Sequence, residues 1–161
     1  MYGHRARIGY TSPPAATEVF PYEFYRIVPD GVTLALTTLA IMELDADEVN
    51  TSYDISLRAA RQLARTGIDV MVYGGVPINL SRGVDNVASL IGDTEKDIGI
   101  PVTTSITAQL DALKILGAGK VACVHPFDSG TPDSVYDRLF GDYLDANGYD
   151  MVGIAGADRP A

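Results

Sequence analysis

The feature that most constrains this chain is an alternation. Short apolar runs bounded by Gly, Pro or Asp take turns with longer stretches of helical periodicity. Residues 7–10, 33–39, 69–73, 101–104 and 120–124 read as strands, and residues 150–154 as a sixth candidate. Among the intervening segments, residues 47–65 are the clearest helix: Val49, Tyr53, Leu57, Ala60 and Ala64 recur at steps of three and four and make one apolar stripe. Asp45 followed by Glu48 resembles a capping box at its start, and Gly67 supplies the stop. Further helices are predicted over 84–98, closed by Gly99, and over 107–116, closed by Gly117. Another spans 132–146 and is opened by Thr131-Pro132-Asp133. The order βαβαβαβαβα implies right-handed crossovers. It predicts an α/β fold, a doubly wound parallel sheet with helices on both faces.

The carboxyl ends of such strands form the crevice in which open α/β sheets bind ligands, so the segments just beyond the strands are the candidate site. Thr11, Ser12 and Pro13-Pro14 sit where the first strand is expected to turn into a helix near Ala15 or Ala16. They suit either an ordinary helix start or a hydroxyl-lined carboxylate turn. Gly74-Gly75, with Asn79, Ser81 and Arg82 just beyond, is the most ligand-like loop, and a plain tight turn is the alternative. It matches neither the dinucleotide glycine fingerprint nor the Walker pattern. Thr103-Thr104-Ser105 reads first as a helix cap. His125 could serve as an acid, a base or a carboxylate partner, or as a turn histidine for which the sequence names no acidic partner. Cys123, inside an apolar strand, reads as a buried and inert thiol. On periodicity alone Tyr53 is a core aromatic.

Composition removes several function classes. The chain has 161 residues, 47% hydrophobic and 20% charged, which suits a globular body with a substantial core. No apolar run approaches the roughly 18 residues needed to cross a bilayer, and the N-terminus leads into a strand, so a cytoplasmic location and no membrane partner are expected. With 21 acidic against 12 basic residues the net charge is −9, which disfavours nucleic acid. One cysteine and two well-separated histidines, His4 and His125, predict no metal site.

Taken in order, several motifs carry a resemblance. They are Ile8-Gly9 followed by Pro13-Pro14-Ala15-Ala16, then Tyr53-Asp54, then Gly75 with Ser81-Arg82-Gly83. Gly99-Ile100-Pro101-Val102-Thr103-Thr104 and Ala112-Leu113-Lys114-Ile115-Leu116-Gly117 complete the series. The chain thereby resembles the aspartate/glutamate racemase superfamily, and within it the arylmalonate decarboxylase and maleate cis-trans isomerase group. The resemblance runs from about residue 7 to about residue 148. It implies cofactor-independent carbon-acid chemistry, in which backbone and hydroxyl donors stabilise an enediolate and a cysteine moves a proton. It also implies a first α/β half over 1–117 and the opening of a second over 118–161.

The same resemblance implies that Pro14, Tyr53, Gly75, Val76 and Pro77 line a substrate pocket. Gly75 stands where two-cysteine members carry their first cysteine, as in the decarboxylase branch. Val76 and Pro77 replace a Thr-Ser donor pair, and Phe127 replaces a tyrosine, so Asn79 and His125 are the candidate replacement donors. The family's second-half cysteine falls beyond the equivalent of Ala161, so the chain is read as C-terminally truncated and no catalytic residue is assigned. The expected function is decarboxylation, isomerisation or racemisation of a small carboxylic or dicarboxylic acid, as a lyase or isomerase closest to arylmalonate decarboxylase. The alternatives are a catalytically silent carboxylate-binding domain and a flavodoxin-like flavin or nucleotide binder. An incomplete second half would leave a sheet edge uncovered, which favours a homo-oligomer.

Overall fold

The computed structural model describes residues 3–42, 46–125 and 135–156. The chain forms two compact units, 1–108 and 109–161. The division falls inside a helix, ahead of the boundary after residue 117 that the sequence suggests.

The first unit is built on a four-stranded parallel sheet. Its strands are β1 (Ala6–Pro14), β2 (Val32–Ile41), β3 (Val70–Tyr73) and β4 (Val102–Thr104), in the order β2-β1-β3-β4. Helix α1 (Val19–Ile27) joins β1 to β2, α2 (Ala46–Ala64) joins β2 to β3, and α3 (Val76–Leu80) and α4 (Asn86–Ile98) lie between β3 and β4. The chain steps from β1 outward to β2 and then back past β1 to β3. Right-handed crossovers in opposite directions place α1 on one face and α2 with α4 on the other. The apolar stripe expected over 47–65 is the face that α2 buries: Val49, Tyr53, Ala60 and Leu63 join Leu39, Met71, Tyr73, Leu90 and Val102 in one core cluster. On the opposite face α1 buries none of its residues fully.

Two expectations are corrected here. The turn placed at Pro13-Pro14 is strand: β1 runs through Pro14 and α1 begins only at Val19. A residue before proline is pushed out of the helical region, so Ser12-Pro13-Pro14 stays extended. The missing proline N–H groups cost little, because pairing to β3 has already ended at Thr11. The register to β2 slips between Ser12↔Thr38 and Pro14↔Ile41. One extra β2 residue is absorbed there, beside Ala40 with its φ of 59°. The second correction is that the glycine-rich loop contains the short helix α3.

In the second unit β5 (Lys120–His125) and β6 (Asp150–Gly156) pair in parallel, connected through α6 (Val135–Ala146). Helix α5 (Ser105–Ile115) precedes β5 and spans the division between the units. Phe140, Tyr143 and Leu144 are the buried side of α6. The strand expected over 150–154 continues to Gly156. The proposed caps at Asp45 and at Thr131-Pro132-Asp133 lie outside the described residues. Glu48 accepts the Met42 backbone N–H at 3.0 Å.

Candidate functional site

The ends of β1, β3 and β4 hold a group of buried polar side chains: Thr11, Ser12, Asn79 and Thr104. Polar groups this deep require partners, and following those partners separates structural work from what is left over. Thr11 is committed to the sheet. Its carbonyl and its Oγ1 both accept the Gly74 N–H, at 3.1 and 3.3 Å, which extends the β1–β3 ladder past the last strand residue. A Cβ at Gly74 would lie 2.1 Å from the Thr11 carbonyl oxygen, so only glycine allows this approach. Gly75 follows with φ 84°, and a Cβ there would meet Pro13 Cγ at 2.5 Å.

From Gly75 the chain enters α3, where the Asn79 N–H donates to the Gly75 carbonyl at 3.0 Å. The structure thus places Gly75, Val76, Pro77 and Asn79 on one turn, with Gly75 against Pro13 of β1. Pro14 is exposed at the strand end. Val76 and Pro77 bring no side-chain donor, and Pro77 has no N–H.

The hydroxyls of β4 are spent on α5. Thr104 is its N-cap: Oγ1 accepts the Thr107 N–H at 3.1 Å, and Thr107 Oγ1 accepts the Thr104 N–H at 3.0 Å. Thr103 and Thr107 hydroxyls meet at 3.0 Å. Ser105 donates to Asn79 Oδ1 at 2.9 Å and so orients that amide. Asn79 Nδ2 is buried and has no hydrogen-bond partner among the described residues.

Tyr53 is held on three sides. Its ring packs in the core, the Arg82 guanidinium lies 4.8 Å from the ring centroid, and Asn86 Nδ2 donates to its hydroxyl at 2.9 Å. Arg82 also pairs with Asp54 at 3.2 Å. The Tyr53-Asp54 and Ser81-Arg82-Gly83 motifs are therefore one cluster in space. Tyr53 also lines a cavity of about 180 Å³ between α2 and α4, with Asn86, Thr94 and Asp97. Nearby, Tyr73 shares a hydrogen bond of 3.1 Å with Thr94, and burial pushes its phenol up to about 12. It therefore stays neutral at physiological pH.

In the second unit His125 is 4% exposed, and its Nε2 lies 2.7 Å from Asp137 Oδ1. Tyr136 packs edge-on at 4.7 Å. Sequence reasoning missed Asp137, whose only signal was its place in the first turn of α6. Cys123 is half-buried rather than buried, on a strand with alternate residues exposed. Burial and then the Asp137 charge push its thiol up, which keeps it protonated near neutrality. Phe127 lies outside the described residues. Among those residues, no three His, Cys, Asp or Glu side chains are placed to hold a metal ion, and no helix is long and apolar enough to cross a membrane.

The sequence profile described as arylmalonate decarboxylase matches residues 8–158. The chain belongs to the arylmalonate decarboxylase family. The arylmalonate decarboxylase of Bordetella bronchiseptica is 27% identical over 154 residues, a match covering 96% of this chain and 63% of that protein. A crystal structure of arylmalonate decarboxylase superposes with TM-score 0.75 at 26% identity, over 94% of this chain and 64% of the other. The maleate isomerase Iso of Pseudomonas putida S16 shares the fold, with TM-score 0.75 at 22% identity over 96% of this chain and 64% of that one. This member of the family thus spans a little under two thirds of the length of the relatives it matches.

Proposed function

We propose that this chain binds the carboxylate of a small mono- or dicarboxylic acid at the ends of β1, β3 and β4. We further propose that the activity it serves is cofactor-independent decarboxylation, isomerisation or racemisation through an enediolate, closest to arylmalonate decarboxylation. The observation that carries this reading is the Gly75–Asn79 turn. It is pressed against Pro13 so closely that no side chain fits at Gly75, and it ends in a buried amide oriented by Ser105, whose N–H groups have no acceptor among the described residues. Donors fixed before a ligand arrives can meet charge developing on a carboxylate without reorganising, which is the physical basis of oxyanion stabilisation. Pro14, Tyr53, Val76 and Pro77 are proposed as neighbours of the bound acid. In the second unit His125, whose Nε2 lies 2.7 Å from Asp137 Oδ1, is proposed as a proton-carrying group.

A second reading is a domain that binds carboxylates without turning them over. It is favoured by the absence of side-chain donors at Val76 and Pro77. Incubation with phenylmalonate, maleate and aspartate in D2O, followed by NMR, tests both. Deuterated phenylacetate establishes decarboxylation, fumarate establishes isomerisation, and exchange at the aspartate α-carbon establishes racemase-type chemistry. Thermal stabilisation by these acids without any product establishes the silent binder. Neither product nor stabilisation would sink the carboxylate reading.

A further inference from the structure

The buried Asn79 amide is half used. Ser105 supplies a hydrogen to Oδ1 at 2.9 Å, and nothing among the described residues accepts from Nδ2, although the side chain is wholly buried. A buried donor that gives up water and gains no acceptor destabilises the fold, so its retention calls for an explanation. The neighbouring polar groups do not supply one. Thr11 receives the Gly74 N–H, and Thr104 and Thr107 are paired with each other across the start of α5. Among the described residues, Asn79 Nδ2 is the buried side-chain nitrogen or oxygen that has no hydrogen-bond partner at all. It also stands on the turn where Val76 and Pro77 offer no side-chain donor.

We propose that Asn79 Nδ2 is the specificity-determining donor of this chain: it holds one oxygen of the bound acid's carboxylate, and Ser105 sets the orientation in which it does so. The inference rests on the carboxylate-binding reading given above. Because Nδ2 offers two N–H groups and no acceptor, it selects a ligand that is acceptor-only at that position. An ionised carboxylate meets this requirement with a charge-assisted bond, stronger than the neutral bond that a carboxylic acid or a hydroxyl oxygen would accept. The donor is neutral, so it grips the anion without demanding a buried counter-charge.

Thermal-shift titrations with phenylmalonate and with maleate test this on the wild-type chain, Asn79→Leu and Asn79→Asp. Two-dimensional NMR of the wild-type side-chain amides runs beside them, the Asn79 pair being assigned on the wild-type chain through its own Cβ and Cγ in triple-resonance spectra. Asn79→Leu removes the unpaired donor at similar volume. It is expected to keep or raise the melting temperature without ligand while weakening carboxylate binding about 10-fold or more, the effect of losing one charge-assisted bond. Asn79→Asp keeps an acceptor for Ser105 and is expected to lose binding as well. The Asn79 NH2 resonances should move on saturation with the acid that stabilises the protein. A fall in melting temperature for Asn79→Leu with unchanged affinity would make Asn79 a structural residue and overturn the proposal. So would an Asn79 NH2 pair that does not move at saturation, and this arm decides the matter if the variants fail to fold. A wild-type chain stabilised by neither acid would instead overturn the carboxylate reading itself.

Discussion

A methyl group at Gly75 would face two penalties at once. The backbone φ of 84° is one that L-residues rarely adopt, and the new Cβ would sit 2.5 Å from Pro13 Cγ and 3.2 Å from Ile78 Cδ1. Left-handed backbone costs about 1–2 kcal/mol per residue, and overpacking typically adds about 1–3 kcal/mol. Gly75→Ala is therefore expected to lower stability by about 2–4 kcal/mol in urea unfolding. Because the Pro13 ring is rigid, the contact share should be separable. In a Pro13→Ala background the same change should cost about 1 kcal/mol less, a coupling that a double-mutant cycle resolves. A Gly75→Ala variant as stable as wild type would show that β1 and the turn are not in contact in solution.

At the scale of elements, the start of α5 shows how much of the rim is architecture. Thr104 is wholly buried and both gives to and takes from Thr107 across the first helical turn. Thr104→Ala should cost about 1–2 kcal/mol in urea unfolding, the usual loss for a helix cap, and Thr104→Ser should recover most of it. An equal loss in both would assign the effect to the methyl group. This cap was legible in the sequence as Thr103-Thr104-Ser105, as were β2 to β5 and the long helices, because periodicity and flanking glycines are local signals. Pro13-Pro14 was misread because proline also favours a helix start, and only the β2 partner shows that the strand continues. Helix α3 has five residues, too few to display a period, and Pro77 reads as a breaker. Asn79 stood out as a polar residue after a glycine pair. Its bond to Ser105, however, spans 26 positions and exists only because β3 and β4 lie side by side. The His125–Asp137 contact likewise depends on how α6 packs on its own unit.

At the scale of the whole molecule, the two units differ in how well they satisfy a parallel sheet, which is ordinarily covered on both faces. In the first, β1 has a partner on each side, and α2 seals one face with Ala60 and Met71 wholly buried. In the second, a two-stranded parallel pair leaves Val124 75% and Val152 58% exposed, and two-stranded sheets are marginal on their own. Local opening free energy follows buried apolar contact, so the units should open separately. Native-state hydrogen exchange is expected to show the amides of β5 and β6 exchanging at least ~10-fold faster than those of β1 and β3, about 1.4 kcal/mol less protection. Uniform protection across both sheets would mean one cooperative body. Separate opening would mean that no single melting temperature describes this chain. Ligand stabilisation would then have to be read from the protection of β1 and β3, the strands that carry Thr11 and lead into Gly75 and Asn79.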